Sequence, residues 1–444
     1  MRTLGITAAV IVALGLQGPA VPDVSEQTLR QYAGVYQWSS DAFLYLQLWN
    51  EFTGKHQLGA FDESGEVRVL YPTAPDRFFA GPGAAVSSSI ESRIEFQRDD
   101  AGKTVALTWQ RDGGAPRVAR RVDIETRDEV RFANGDVALA GMLIRPTGAA
   151  KPPAIILVHG SGPQDRESIL PFARFLVRRG IAILGYDKRG VGKSGGDWNR
   201  ASMEDLAGDA VAAFRYLSAR GDIDGTQIGL LGVSQAGWIM PLAAVQAPKI
   251  AFLISISGAG VPTEETAFDH TRNELTTGGM PADRVEQLID LMKAQHRFAR
   301  TGEGWDEYVA KRAALAARLG SPPDSFPSTQ DHPRWQFMRK MFFYDPGPTL
   351  RQLRTPTLAL FGELDNNILP DKNRAAWDTA LKAAGNRDYT LRVIPKANHI
   401  HLEAKIGNNA EMPSLRHFAP EYFTTIHDWL AKRVRGYDRR AAPR

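Results

Sequence analysis

The sequence predicts an α/β fold: a mostly parallel central sheet with a helical insertion, preceded by a small all-β unit. Three observations predict it. From about residue 124 onward, short apolar runs such as AIILVHG (Ala154–Gly160) and IAILGYD (Ile181–Asp187) alternate with helix-length stretches, which marks strands buried on both faces. Between residues 28 and 122, runs that alternate apolar with polar follow one another, separated only by turn formers. Residues 259–349 interrupt the strand–helix alternation with helical text broken by Gly and Pro.

Length and composition bound what such a chain can do. Its 444 residues are enough for two or three domains, and 43% hydrophobic content is ordinary for a globular protein. A formal charge of +4 makes no electrostatic case for nucleic acid as a partner. The absence of cysteine excludes disulfides, thiolate metal sites and a cysteine nucleophile, leaving Ser, His, carboxylates, Tyr and Lys for any chemistry. At the start, Arg2, the apolar run Leu4–Leu16, and Gly18 with Ala20 have the layout of an export signal, here residues 1–20. The protein is therefore expected to be exported, to the periplasm or beyond. No later segment is apolar for long enough to span a bilayer. Oligomeric state is left open.

The all-β unit is expected over residues 28–122. Its strands include Phe43–Trp49, Glu66–Tyr71, Ser92–Gln97, Lys103–Gln110 and Arg117–Val122, with turn formers such as ESG and RDGG between strands. The opening YAGVY (Tyr32–Tyr36) and the turn before ARRV resemble a lipocalin-like module appended to some serine hydrolases of the β-lactamase type. No SxxK motif accompanies it, so a packing or substrate-guiding accessory is expected.

The core is expected over residues 124–258 and 350–435. Asn134-Gly135 marks a hairpin between DEVRF and VALAGMLI. A helix over Phe172–Arg179 lies between the strands Ala154–Gly160 and Ile181–Asp187, and after them come a helix over Ser202–Arg220, the strand Gln227–Gly232, a helix from Gln235, and the strand Ala251–Gly258. Ser202 and Asp205 have capping-box spacing, and Met203, Leu206, Ala210, Val211, Phe214 and Leu217 repeat on one helix face. The strands Thr357–Gly362 and Tyr389–Ile394 and a helix from about Glu421 complete the sheet. The aromatic-rich segment 259–349, with Phe268, Trp305, Tyr308, Trp335, Phe337, Phe342, Phe343 and Tyr344, is expected to be a lid. The tail with Arg433, Arg435, Arg439 and Arg440 is expected to be solvated.

The chemistry is expected at strand ends. In GVSQAG (Gly232–Gly237), Ser234 stands on a strand-to-helix corner, which strains its backbone and exposes its hydroxyl. Ala236 occupies the place where a second glycine is usual, with Gly237 one later. A serine hydroxyl needs a base and a carboxylate to orient that base. Asp365, three residues past Gly362, and His399, five past Ile394, both fall at the carboxyl ends of predicted strands. Glu363 and His401 are the alternatives for the two roles. HGSGPQDR (His159–Arg166) begins where a strand ends and can present the Ser161 N–H, or else that of Gly160, to a developing negative oxygen. The Gln235 N–H would be the second donor. His159 is expected to brace its loop.

YDKRGVGKSGG (Tyr186–Gly196) partly imitates two nucleotide-binding patterns, but the glycines do not fall where a phosphate loop needs them and no helix begins there. A structural turn in which Asp187 and Arg189 tie neighbouring loops is expected instead.

With HGSGPQDR, YDKRGVGKSGG, GVSQAG, GELD and ANH in this order, residues 124–435 resemble the α/β-hydrolase superfamily. The HGSGP loop and DKRGVGKS turn are similar to bacterial serine carboxylesterases of the EstD-like, dienelactone-hydrolase-related kind. The resemblance implies ester hydrolysis through an acyl-enzyme, with no cofactor or metal. Ser234 would be nucleophile, His399 base and later acid, and Asp365 its orienter, acting on a small-molecule ester. A peptidase or amidase of the same superfamily is the rival, for which Glu264 and Glu265 could bind an amine; a non-catalytic binding protein is the third reading.

Overall fold

The computed structural model describes residues 22–50, 54–168, 173–319 and 325–437. The expected export signal, with Arg439 and Arg440 of the tail, lies outside these residues.

A short helix, α1 (Glu26–Tyr32), precedes the β unit and is capped by Ser25, whose Oγ accepts from the Thr28 N–H at 3.2 Å. Eight antiparallel strands follow: β1 (Gly34–Ser39), β2 (Ala42–Trp49), β3 (Gln57–Asp62), β4 (Val67–Ala74), β5 (Arg77–Ala80), β6 (Ser92–Arg98), β7 (Thr104–Arg111) and β8 (Arg117–Val122). β1 pairs with β8 and closes a barrel. The helix, and β1, β3 and β5 as individual strands, were not singled out in the sequence. Strand β2 explains how the barrel sits. Its side chains alternate, so Leu44, Leu46 and Leu48 join the barrel's own core while Phe43, Tyr45 and Trp49 join the core beneath the neighbouring sheet. Both faces of this strand are therefore buried.

The second sheet has eight strands. The antiparallel hairpin β9 (Glu125–Asn134) and β10 (Val137–Pro146) turns at Gly135, whose φ of 56° suits glycine. Next come β11 (Ala154–Val158), α2 (Ala173–Val177), β12 (Ala182–Tyr186), α3 (Met203–Ser218), β13 (Ile228–Val233), α4 (Ala236–Gln246) and β14 (Leu253–Ile256). With β15 (Thr357–Gly362) and β16 (Tyr389–Ile394), the spatial order is β16-β15-β14-β13-β11-β12-β10-β9, parallel except for the β9–β10 and β10–β12 pairings. The expected capping box of α3 is present: Asp205 N–H donates to Ser202 Oγ at 3.2 Å, and Ser202 N–H to Asp205 Oδ2 at 2.8 Å.

Among the described residues between β14 and the next strand lie five helices: α5 (Thr263–Thr277), α6 (Ala282–Thr301), α7 (Trp305–Leu319), α8 (Arg334–Met341) and α9 (Gly347–Leu350). Then β15 (Thr357–Gly362), α10 (Pro370–Ala383), β16 (Tyr389–Ile394) and α11 (Glu421–Arg433) complete the fold. Much of the insertion's aromatic content packs on itself. Trp335 meets Phe298 at 4.8 Å and Tyr308 at 5.5 Å between ring centroids, in a core of their own.

The central strands alternate between two cores, as strands covered on both faces must. Ile156 and Val158 face α3, α4 and α10; Ile155 and Leu157 face α2, α11 and the barrel wall. The tail differs from expectation at Arg433, while the Arg435 side chain is exposed as expected and its backbone is tied down. Arg433 stacks on Trp429 and pairs with Asp388, and the Arg435 N–H donates to Gln227 Oε1 at 2.7 Å.

Candidate active site

The sheet's carboxyl edge gathers the polar loops. Ser234 follows β13 directly and has φ of 59°, a left-handed conformation costly for any residue but glycine. Two glycines make the corner possible. A Cβ on Gly232 would meet Ala236 Cβ at 2.3 Å and Val158 O at 2.6 Å, and one on Gly237 would meet Gly258 Cα at 2.3 Å. Ala236 is thus accommodated by Gly232, and the close helix–strand approach falls to Gly237, one position later than usual. Ser234 N–H donates to Ile256 O at 2.9 Å, which locks the corner to β14.

Asp365 lies on the loop after β15 and is almost fully buried, at 2% exposure. Its Oδ1 accepts from the Asn367 and Ile368 N–H groups at 2.8 and 2.9 Å. Its Oδ2 lies 3.0 Å from His399 Nδ1. Burial opposes ionisation, but the His399 charge and these hydrogen bonds outweigh it and hold the carboxyl below the usual range. Gly362 lets the two loops meet, because a Cβ there would strike Ala397 O at 2.5 Å. Asn398 shapes the histidine loop: its Oδ1 accepts from the Leu402 N–H at 2.9 Å.

The two alternatives go elsewhere. Glu363 accepts from the Lys396 N–H at 2.7 Å. His401 is fully buried, stacks on Tyr422 at 4.6 Å, and burial pushes it down to about 3, so it stays neutral. The structure brings His399, and not His401, to Asp365.

The loop after β11 runs beside the Ser234 corner, since a Cβ on Gly160 would approach Val233 O at 3.3 Å. Gly160 N–H is engaged by Gln164 Oε1 at 2.7 Å. Among the described residues, the N–H groups of Ser161 and Gln235 have no protein acceptor. His159 Nε2 lies 2.5 Å from Tyr186 O, and burial pushes the ring down to about 3, as suits a brace. The DKRG turn ties loops together. Arg166 Nη2 meets Asp187 Oδ2 at 2.8 Å, Arg189 Nη2 meets Asp209 Oδ1 at 2.6 Å, and Lys193 N–H donates to Asp187 Oδ2 at 2.8 Å.

Sequence reasoning missed three groups. Lys188 is buried within the DKRG turn and reaches both the Gly160 loop and Gln235. His270 on α5 is pushed down to about 4, by burial and then by the nearby charge of His399. His56, in the barrel half of the chain, reaches Asp165 of the Gly160 loop at 3.2 Å. The DKRG motif itself could have signalled the lysine; no local signal marks the two histidines. Glu264 pairs with Arg300 and lies 3.2 Å from His296, while Glu265 pairs with Lys372, so both are already matched by the protein's own cations.

Among the described residues, no helix is long and apolar enough to cross a membrane, and no three His, Asp or Glu side chains cluster as metal ligands.

A family model described as the alpha/beta hydrolase family matches residues 155–405. Esterase EstD of Thermotoga maritima is 25% identical over 75% of this chain and 78% of its own length. A non-heme haloperoxidase of Rhodococcus erythropolis is 25% identical over 57% of this chain and 86% of its own. Among solved structures, the esterase Pf2001 of Pyrococcus furiosus covers 70% of this chain and 92% of its own at 16% identity, with a TM-score of 0.45.

Proposed function

The chain belongs to the alpha/beta hydrolase family, and from that premise we propose that it cleaves carboxylic esters of small molecules through an acyl-enzyme. The observation that carries this reading is the 3.0 Å approach of His399 Nδ1 to a buried Asp365 carboxylate, on loops at the same sheet edge as the strained Ser234.

In this reading Asp365 accepts from His399 Nδ1–H, which leaves Nε2 unprotonated and basic. Ser234 Oγ attacks the ester carbonyl carbon and gives its proton to His399 Nε2. The carbonyl π pair moves onto oxygen, opposite the N–H groups of Ser161 and Gln235, which stabilise it. The pair returns as the bond to the leaving oxygen breaks, and the alcohol departs with the proton from His399. Water, giving a proton to His399, then attacks the acyl carbon; as the intermediate collapses the acyl–Oγ bond breaks, His399 returns the proton to Ser234 Oγ, and the acid is released. No step calls for a cofactor.

The same proposal covers the organisation of the chain. Residues 1–20 direct export, 28–122 form the accessory barrel, 124–258 with 350–435 the catalytic core, and 259–349 a lid over the site. Ties between α5 and the acid loop support the lid: Asn366 Nδ2 donates to Thr277 Oγ1 at 3.2 Å. The peptidase reading loses its amine-binding pair, since Glu264 and Glu265 are engaged elsewhere.

The test combines a fluorophosphonate probe with two substrate classes. Labelling mapped to Ser234, with turnover of p-nitrophenyl esters of graded length but not of aminoacyl anilides, is expected. Labelling at another residue, or anilide turnover exceeding that of the esters, would overturn the proposal.

A further inference from the structure

Lys188 is a buried cation with an unusual set of partners. It is 2% exposed, and its Nζ donates to Gly160 O at 2.8 Å, Gly162 O at 3.1 Å and Gln235 Oε1 at 2.9 Å. Three ammonium hydrogens thus meet three neutral oxygens. Neighbouring carboxylates are committed elsewhere: Asp187 to Arg166, and Asp209 to Arg189. Among the described residues no carboxylate forms an ion pair with Lys188, and burial pushes its ammonium down to about 7. A buried charge without an opposite charge in contact is expensive. Structural tethering alone would be served more cheaply by a neutral donor.

The geometry of its partners says what the cation does. In a trans peptide the C=O of one residue and the N–H of the next point to opposite edges of one plane. Holding Gly160 O therefore turns the Ser161 N–H away from Nζ and fixes its direction. Gly162, at φ of 82°, is held through its own carbonyl, so the loop is pinned on both sides of Ser161. The backbone N–H of Lys188 adds a bond to Gln164 O at 3.0 Å, and Gln164 Oε1 in turn occupies the Gly160 N–H. The third contact reaches Gln235, the residue after Ser234. One side chain thus joins the two chain segments that carry the Ser161 and Gln235 N–H groups.

We propose that Lys188 is a positioning residue of the oxyanion hole: its Nζ, through the Gly160 and Gly162 carbonyls and the Gln235 side chain, presets the Ser161 and Gln235 N–H donors. This rests on the reading of Ser234 as nucleophile. Donors preset in this way cost no reorganisation when the oxyanion forms, so the benefit belongs to the transition state rather than to substrate binding.

The test uses the full-length chain and a short p-nitrophenyl ester. Lys188→Met is expected to lower kcat about 10²-fold, with KM changed less than about threefold, since the loss falls on the transition state. Gln235→Leu, which leaves both backbone donors in place, is expected to lower kcat about tenfold, again without a rise in KM. An alkylboronic acid, which places a tetrahedral oxygen in the same position, should lose affinity in step with kcat. Unchanged kcat, or a raised KM at unchanged kcat, would overturn the proposal. Should Lys188→Met fail to fold, Gln235→Leu decides by the same criteria. Fluorophosphonate labelling separates the two levels of the argument. A wild-type protein unlabelled at Ser234 removes the underlying reading, whereas labelling at Ser234 with full kcat in both variants removes only the role of Lys188.

Discussion

The barrel and the parallel sheet use the same kinds of residue to opposite ends. Inside the barrel, Tyr36, Leu46, Leu58, Leu70 and Leu107 are fully buried in a single apolar core, and its charged groups reach outward to the sheet. Glu63 takes Arg178 Nε and Nη2 at 2.8 Å each and also meets Arg179. Arg30 Nη2 holds Glu167 Oε2 at 2.7 Å, and Arg174 Nη1 donates to Leu46 O at 2.9 Å. At the sheet's carboxyl edge, by contrast, polar groups turn toward one another around a strained serine, and among the described residues the Ser161 and Gln235 N–H groups have no protein acceptor. The difference teaches that buried polarity has two uses here. In one region it fastens a rigid body; in the other, on the proposed function, it is kept ready for a reaction.

The largest test of that contrast is Ser234→Ala. Turnover of p-nitrophenyl esters should fall by about 10⁴-fold or more, while the thermal midpoint stays close to wild type, because the hydroxyl is not part of any fastening. A large fall in midpoint would mean that the sheet edge is fastened like the barrel.

Next in size is Asp365 set against His401. Asp365→Asn should cost about 10³–10⁴-fold in kcat through loss of the imidazole's orientation. His401→Ala should leave kcat within a few-fold yet destabilise by about 2–4 kcal/mol, as emptying a packed ring site does. Denaturant midpoints alongside kcat would check both. Equal kinetic losses would erase the distinction between the two histidine positions.

These residues also mark what the sequence allowed one to read. Ser234, Asp365 and His399 were legible because each stands just beyond an apolar strand, and strand and loop are adjacent in the chain. The barrel was legible as β structure but not as a closed barrel: the β1–β8 pairing joins Val35 to Val122, a relation no local pattern carries. Strand β3 contains Gly59, whose Cβ position lies against Trp49, and β5 has only four residues, so neither gave a clear alternation. Lys188, His270 and His56 gain their positions only when distant segments pack together. The lysine sat inside a motif already singled out, but its buried direction depends on the Gly160 loop and Gln235 being beside it.

In the fastening region, Glu63→Ala should destabilise the protein by about 3–5 kcal/mol, because it strands the fully buried Arg179 side chain beside Arg178. Urea unfolding would measure it, and kcat of the folded fraction should be unchanged. A changed kcat would show that the barrel's grip reaches the chemistry.

The smallest effect sits where the two regions touch. His56 is held between Glu26, at 2.7 Å, and Asp165, at 3.2 Å, with Arg30 and Glu167 adjoining. The Asp165 interaction is the main cause of its rise from 6.5 to about 9, working against burial. Asp165 is in turn held well below its usual 3.8, where burial is outweighed by His56 and by the N–H and hydroxyl of Ser168. A raised histidine contributes stability that is complete below about pH 6.5 and is lost as the pH climbs through about 9. A depressed aspartate contributes above about pH 3.8 and loses its share as the pH falls through its lowered value. The stability gap between wild type and His56→Gln should therefore be widest between about pH 4 and 6.5, amount to about 1 kcal/mol, and close toward pH 9 and above. Urea midpoints across that range would measure it, and a gap that persisted at pH 10 would contradict the ion-pair origin. The same variant sharpens the comparison between regions, because Asp165 belongs to the loop that carries Ser161. If kcat at pH 6 is unaffected by His56→Gln, Lys188 and Gln164 hold that loop without help from the barrel. If kcat falls while the protein remains folded, the fastening extends through Asp165 into the loop that carries Ser161, and the two uses of buried polarity meet in one ion pair.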